Sequence, residues 1–96
     1  MLERDFQARI IQKIKERYKD SIVLKNDPNY IQGFPDITIF CGNKWATLEV
    51  KKNASAHHQP NQEFYVDYLN SLSFSRFIFP ENEEEVFNEL DQLFKS

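Results

Sequence analysis

The spacing of apolar and polar positions divides the chain into seven segments. From Leu2 to Lys19 the apolar residues Leu2, Phe6, Ile10, Ile11, Ile14 and Tyr18 recur at helical intervals, which predicts an amphipathic helix. Ser21 to Lys25 reads as a short strand, followed by a loop of turn-forming residues from Asn26 to Gly33. Ile37 to Cys41 and Lys44 to Lys51 alternate as strands and flank Gly42-Asn43, a pair suited to a two-residue hairpin turn. A polar loop, Lys52 to Pro60, leads into a helix that starts at Pro60 and runs to about Ser71, with Phe64, Tyr65, Tyr68, Leu69 and Leu72 predicted inside. Phe74 to Phe79 alternates as a fourth strand. Asn82 with Glu85 has the spacing of a capping box for a last helix whose buried stripe is Val86, Phe87, Leu90, Leu93 and Phe94. The order helix, three strands, helix, strand, helix predicts a small α/β domain with a mixed four-stranded sheet, spanning residues 1–96.

The hairpin carries the candidate chemistry. If Cys41 faces Lys44, then Phe40 meets Trp45, Thr38 meets Thr47 and Asp36 meets Glu49. Lys51 points to the same side as Glu49, and Ile37, Ile39, Leu48 and Val50 point to the other. Opposed carboxylates destabilise a strand pair unless a cation sits between them. Two acids with an ammonium beside them suit Mg2+, an oxygen-seeking ion that can activate water and polarise a phosphate. Phosphodiester hydrolysis is the reaction this arrangement points to.

Pro35-Asp36 followed by Glu49-Val50-Lys51 resembles the signature of the PD-(D/E)XK nuclease superfamily. The approach Gly33-Phe34-Pro35-Asp36 and the later Pro60-x-Gln62 resemble the short stand-alone VRR-NUC-type nucleases, often encoded by phages. The resemblance implies a restriction-endonuclease-like core of order αβββαβα. It implies Asp36, Glu49, Lys51 and Gln62 as catalytic residues, and Glu3, Asp36, Glu49 and the Val50 carbonyl as ligands of Mg2+ or Mn2+. Glu3 also stands out by position: with Leu2 at zero and about 100° per residue, the apolar stripe spans roughly 0° to 180° and Glu3 falls near 100°. An acid mid-stripe needs a cationic partner or a wet first turn.

Candidate nucleic-acid contacts are Lys25, Tyr30, Lys52, His57 and His58, all in or beside the two loops that flank the hairpin. A tyrosine in such a loop can stack on a base, and a lysine can hold a phosphate. Adjacent histidines in one loop rarely converge on one ion, so His57 and His58 suit substrate contact or solvation rather than a zinc site.

Composition adjusts this picture in two places. The net charge of −3 disfavours polyphosphate binding at first sight, yet six acids and no bases occupy Glu81 to Asp91, and residues 1–80 carry eleven bases against nine acids. The acidity is therefore a terminal segment. The one cysteine, Cys41, rules out an intrachain disulfide, and no apolar run approaches a membrane span. A soluble cytoplasmic protein without membrane contact is the expectation.

With no insertion for reading sequence, structure-specific cleavage of DNA is expected, on branched forms such as junctions, flaps or forks. A homodimer is expected, because paired sites cut two strands symmetrically. The alternative is a catalytically inactive nucleic-acid-binding or assembly module on the same fold.

Overall fold

The computed structural model of the protein describes residues 1–95. Its elements are α1 (Glu3–Arg17), β1 (Ile22–Lys25), β2 (Ile37–Cys41), β3 (Lys44–Val50), α2 (Pro60–Leu72), β4 (Ser75–Ile78) and α3 (Glu83–Phe94). The four strands lie side by side in chain order, antiparallel from β1 to β3, with β4 parallel to β3 after the α2 crossover. This is the expected mixed α/β sheet.

The hairpin register is the one the turn predicts: Cys41 faces Lys44, Phe40 faces Trp45 and Thr38 faces Thr47. Gly42 takes φ +64° and Asn43 keeps a negative φ, the pattern of a two-residue turn with glycine first. The turn thereby decides which side chains meet at the far end of the hairpin.

The sheet has two unlike faces. Ile37, Ile39, Ala46, Leu48, Val50 and Ile78 point to one side and form the core with Phe6, Ile10 and Ile14 of α1 and Val86, Phe87 and Leu90 of α3. The opposite side carries Thr38, Phe40, Trp45, Thr47, Glu49 and Phe77 by alternation, and α2 packs on its β3–β4 half.

Three expectations are corrected. Leu2 is exposed at the N-cap of α1, because the core stripe starts at Phe6 and the cap precedes the packed face. In α2, Phe64, Tyr68 and Leu72 are exposed, and Val66 is the one buried residue, since the helix meets only half a sheet face. Asn82 does not cap α3. Pro80–Asn82 form a single 3-10 turn, in which Asn82 Oδ1 accepts the Phe79 N–H at 2.9 Å and Nδ2 donates to the Phe77 carbonyl at 2.9 Å. The carboxamide is occupied in closing the strand, so it is not free for the helix N–H groups.

Arg9, Lys13 and Arg17 lie along the basic flank of α1. Arg9 and Lys13 both bond Glu83 at 2.8 Å, and Arg17 forms an ion pair with Asp91. Tyr18 also donates to Asp91 at 2.6 Å. The Arg17 hydrogen bond, helped by Tyr18, holds the Asp91 carboxyl well below the usual carboxylate range. The acidic run near the C-terminus thus clamps α3 to α1. Exposed pairs contribute at most about 1 kcal/mol each, so their main effect is to set how the two helices lie.

Loop and helix meet at one tight point: Gly33 has φ +87°, and a Cβ there would lie 2.4 Å from Asn61 Cβ in the first turn of α2. Gly33→Ala is expected to lower stability by about 1–3 kcal/mol, from left-handed strain plus the clash. Urea denaturation measures this, and an unchanged midpoint would show that the contact is dispensable.

Candidate active site

Asp36, Glu49 and Lys51 come together on the face of the sheet that α2 covers. The β2–β3 ladder ends at Ile37–Leu48, and the same register carried one step further sets Asp36 against Glu49. Asp36 Oδ2 accepts the Val50 N–H at 2.8 Å, which ties the first acid to the backbone between Glu49 and Lys51. Glu49 is 3% exposed and Lys51 7%, so the glutamate and lysine are buried ionisable groups. Their charged ends are 3.9 Å apart.

The gap is bridged by Gln62. Its Oε1 accepts from Lys51 Nζ at 2.8 Å and from the Gln59 N–H at 3.0 Å, while its Nε2 donates to Glu49 Oε2 at 3.0 Å. Pro60 in the first turn of α2 and the Gln59 contact fix where Gln62 starts. A carboxamide suits this place because it can accept from an ammonium and donate to a carboxylate at once.

Glu49 Oε1 is buried with no hydrogen-bond partner. Leaving a buried carboxylate oxygen unsatisfied is costly unless the group is protonated or binds a cation. Burial, reinforced by repulsion from Asp36, pushes the Glu49 carboxyl up to about 8. Asp36 is raised too, by burial and by Glu3, against the lowering effect of the Val50 N–H. Lone oxygen, paired acids and raised affinity for a proton together fit a divalent cation, which would take the proton's place. Among the described residues no three acidic, histidine or cysteine side chains converge tightly enough to enclose an ion by themselves. A pair such as Asp36 and Glu49 would suit Mg2+ or Mn2+, ions that keep several waters and use one or two carboxylates.

Glu3 stands at the rim. Its Oε1 accepts the Lys52 N–H at 3.2 Å, and its charge raises both Asp36 and Glu49. The first turn of α1 thus reaches the strand ends, although Glu3 itself stays exposed. Val50 enters through its backbone N–H, the donor to Asp36.

The proposed nucleic-acid contacts fall into two groups. Lys25 ends β1, and Tyr30, exposed, lines a hollow of about 330 Å3 with Asn26, Ile31 and Phe34. Lys52 and His57 are exposed in the loop after β3. His58 differs: its ring stacks on Phe77 at 3.9 Å, and its Nδ1 lies 3.7 Å from Glu63. Phe77 is the β4 neighbour of Glu49, so His58 covers that flank of the site.

Sequence reading missed Asn26 and Gln59. The Asn26 N–H donates to the Asp36 carbonyl at 2.7 Å, and its side chain donates to the Pro35 carbonyl and Thr38 Oγ1 at 2.8 Å each. An asparagine directly after a strand was the available signal. A second cleft, about 360 Å3, opens beside Gln62 between Gln32, Gly33, Gln59 and Asn61.

No family model, no curated protein and no solved structure matches the chain. Among the described residues no helix is long and apolar enough to cross a membrane.

The titration of Glu49 has a measurable sign. An unfolded glutamate loses its proton near 4.5, whereas the folded one keeps it to about 8, so the folded state binds more protons across that window. Stability of the metal-free protein is therefore expected to fall as pH rises from about 4.5 to about 8. Glu49→Gln should reduce this slope to the part that Asp36, also raised, contributes. Thermal melts in EDTA across the window test it, and equal slopes in both proteins would contradict the assignment.

Proposed function

We propose that the protein is a divalent-metal-dependent endonuclease that hydrolyses phosphodiester bonds in DNA, with the PD-(D/E)XK arrangement of its catalytic groups. The observation that carries this reading is the partnerless buried Glu49 Oε1, set beside Asp36 and within reach of Lys51.

Asp36 and Glu49 would hold Mg2+ or Mn2+, with the Val50 carbonyl and Glu3 as further oxygen donors at the rim. When bound, the ion would neutralise the two acids and polarise a phosphate oxygen. Lys51 orients the attacking water with the proton donors of its ammonium. Gln62 keeps that ammonium from closing onto Glu49, which is why the two groups stand 3.9 Å apart with the carboxamide between them. Lys25, Tyr30, Lys52 and His57 supply backbone and base contacts around the opening.

The described surface has no long insertion that could enter a groove and read base edges, and this favours recognition of DNA shape. Branched DNA, whether a junction, a flap or a fork, is the proposed substrate class. The rival reading is a binding or assembly module that has lost catalysis, and it parts from the nuclease reading at Lys51.

Cleavage of four-way junctions, flaps, forks and single strands is expected with Mg2+ or Mn2+ and is expected to stop in EDTA. Lys51→Ala should reduce single-turnover cleavage by roughly 10²–10⁴-fold, the usual contribution of a positioned acid–base group. Junction affinity in a gel shift should fall only slightly, because one phosphate contact among several is lost. Full activity in EDTA, cleavage of no substrate, or a mutant that cuts at the wild-type rate would each contradict the proposal. Binding that weakens with no cleavage to lose would support the module.

A further inference from the structure

The cleft of about 360 Å3 beside Gln62 opens where the loop between β1 and β2 meets the start of α2. One wall is Pro28, Gln32 and Gly33 of the loop, and the other is Gln59 to Gln62. The loop is held in shape by its own turns. Asp27 Oδ1 accepts the Asn29 N–H at 2.8 Å, and the Asp27 and Ile31 carbonyls accept the Tyr30 and Phe34 N–H groups at 3.2 Å each. It is held against α2 by the edge-on contact of Phe34 with Tyr65 at 5.5 Å and by Gly33, where a side chain would run into Asn61. The two walls are therefore set before any ligand arrives.

The lining decides what kind of ligand fits. None of the seven lining side chains carries a charge, and four of them, Gln32, Gln59, Asn61 and Gln62, are carboxamides or end in one. Each carboxamide offers donors and an acceptor side by side. Pro28 and Pro60 add apolar surface. A phosphate does not suit this lining, because no cation is in it and the helix start has few N–H groups to give. Pro60 has none, and those of Gln62 and Glu63 go to the Gln59 carbonyl at 3.0 and 3.2 Å. An uncharged planar group with donors and acceptors around its edge does suit it, and a nucleobase is such a group. The volume lies near the lower end of small-ligand clefts, roughly 300–1,000 Å3, which suits one nucleoside and not a base pair.

Gln62 links this cleft to the reacting end of the site. It lines the cleft, and its Oε1 accepts from Lys51 Nζ at 2.8 Å, so a phosphate beside Lys51 would have its own nucleoside within reach of the carboxamides. We propose that the cleft takes a single unpaired base of the nucleic acid whose phosphate lies at Lys51. This rests on the nuclease reading and narrows it: a base inside a duplex must first be unstacked and unpaired, so the preferred substrate is one that already frees a nucleotide next to the cut. Gln32 and Asn61, exposed on opposite walls, are the specificity-determining residues.

Equilibrium binding in EDTA tests this without any cleavage. The probes are a fluorescein-labelled DNA duplex with one bulged adenine, the same duplex with an abasic bulge, and the perfect duplex. Adenine is the probe base because one carboxamide can meet its N6 and N7 together. The protein is expected to bind the bulged adenine about 5- to 100-fold more tightly than the abasic bulge, the range of a good bidentate contact. The double variant Gln32→Ala/Asn61→Ala should erase that ratio while binding the abasic bulge and the perfect duplex as the wild type does. If it fails to fold by circular dichroism, Gln32→Ala alone, on the exposed loop, decides, with the ratio expected to fall about threefold or more. Equal binding of the two bulges by the wild type, or a ratio that survives the substitutions, would overturn the subsite and leave the nuclease reading standing. Binding to none of the duplexes would overturn both. Adenine discrimination in a protein that cuts nothing with Mg2+ would support the subsite and count against the nuclease reading alone.

Discussion

A buried carboxylate and ammonium, Glu49 and Lys51, stand beside the half-buried Asp36 at the open end of one hairpin, and the surroundings are arranged around that constraint. Buried charge is tolerated only with partners. Asp36 has the Val50 N–H, Lys51 has Gln62, and Glu49 shares Gln62 but keeps one oxygen unsatisfied. That remaining deficit is what the proposed cation would satisfy. The supports converge from three directions: Asn26 fixes the Asp36 backbone, Gly33 allows the preceding loop to touch α2, and Pro60 with Gln59 sets Gln62.

Part of the chain's basic charge is used within the fold. Arg9, Lys13 and Arg17 are bound to Glu83 and Asp91, so the acidic tail segment and the basic helix flank cancel where α3 packs on α1. Attraction for phosphate would then come from the rim of the site, where Lys25 and Lys52 are exposed, together with the bound cation. The single-chain charge of −3 is consistent with such a local arrangement.

Much of the fold was legible because it follows from short-range rules. Period-two alternation and Gly42 determine the hairpin register, and the register brings Asp36 to Glu49 without any knowledge of distant packing. The α1 and α3 stripes were readable for the same reason. What escaped depends on partners far away in sequence. The buried side of α2 could not be read from its apolar residues, since Phe64, Tyr68 and Leu72 match a helical stripe as well as Val66 and Leu69 do. Asn82 had the spacing of a cap, but the Phe77 carbonyl and Phe79 N–H, set by the end of β4, held its side chain first. Asn26 and Gln59 act through backbone contacts that sequence spacing does not encode.

The central claim is that Asp36 and Glu49 form a cation site now held by a proton. Calorimetric titration with Mg2+ or Mn2+ at neutral pH, repeated in buffers of different ionisation enthalpy, measures the protons displaced on binding. The account predicts one saturable site, release of about one proton per ion because Glu49 must deprotonate to bind, and loss of both signals in Glu49→Gln. Binding with no proton release, or binding that persists unchanged in that variant, would contradict it.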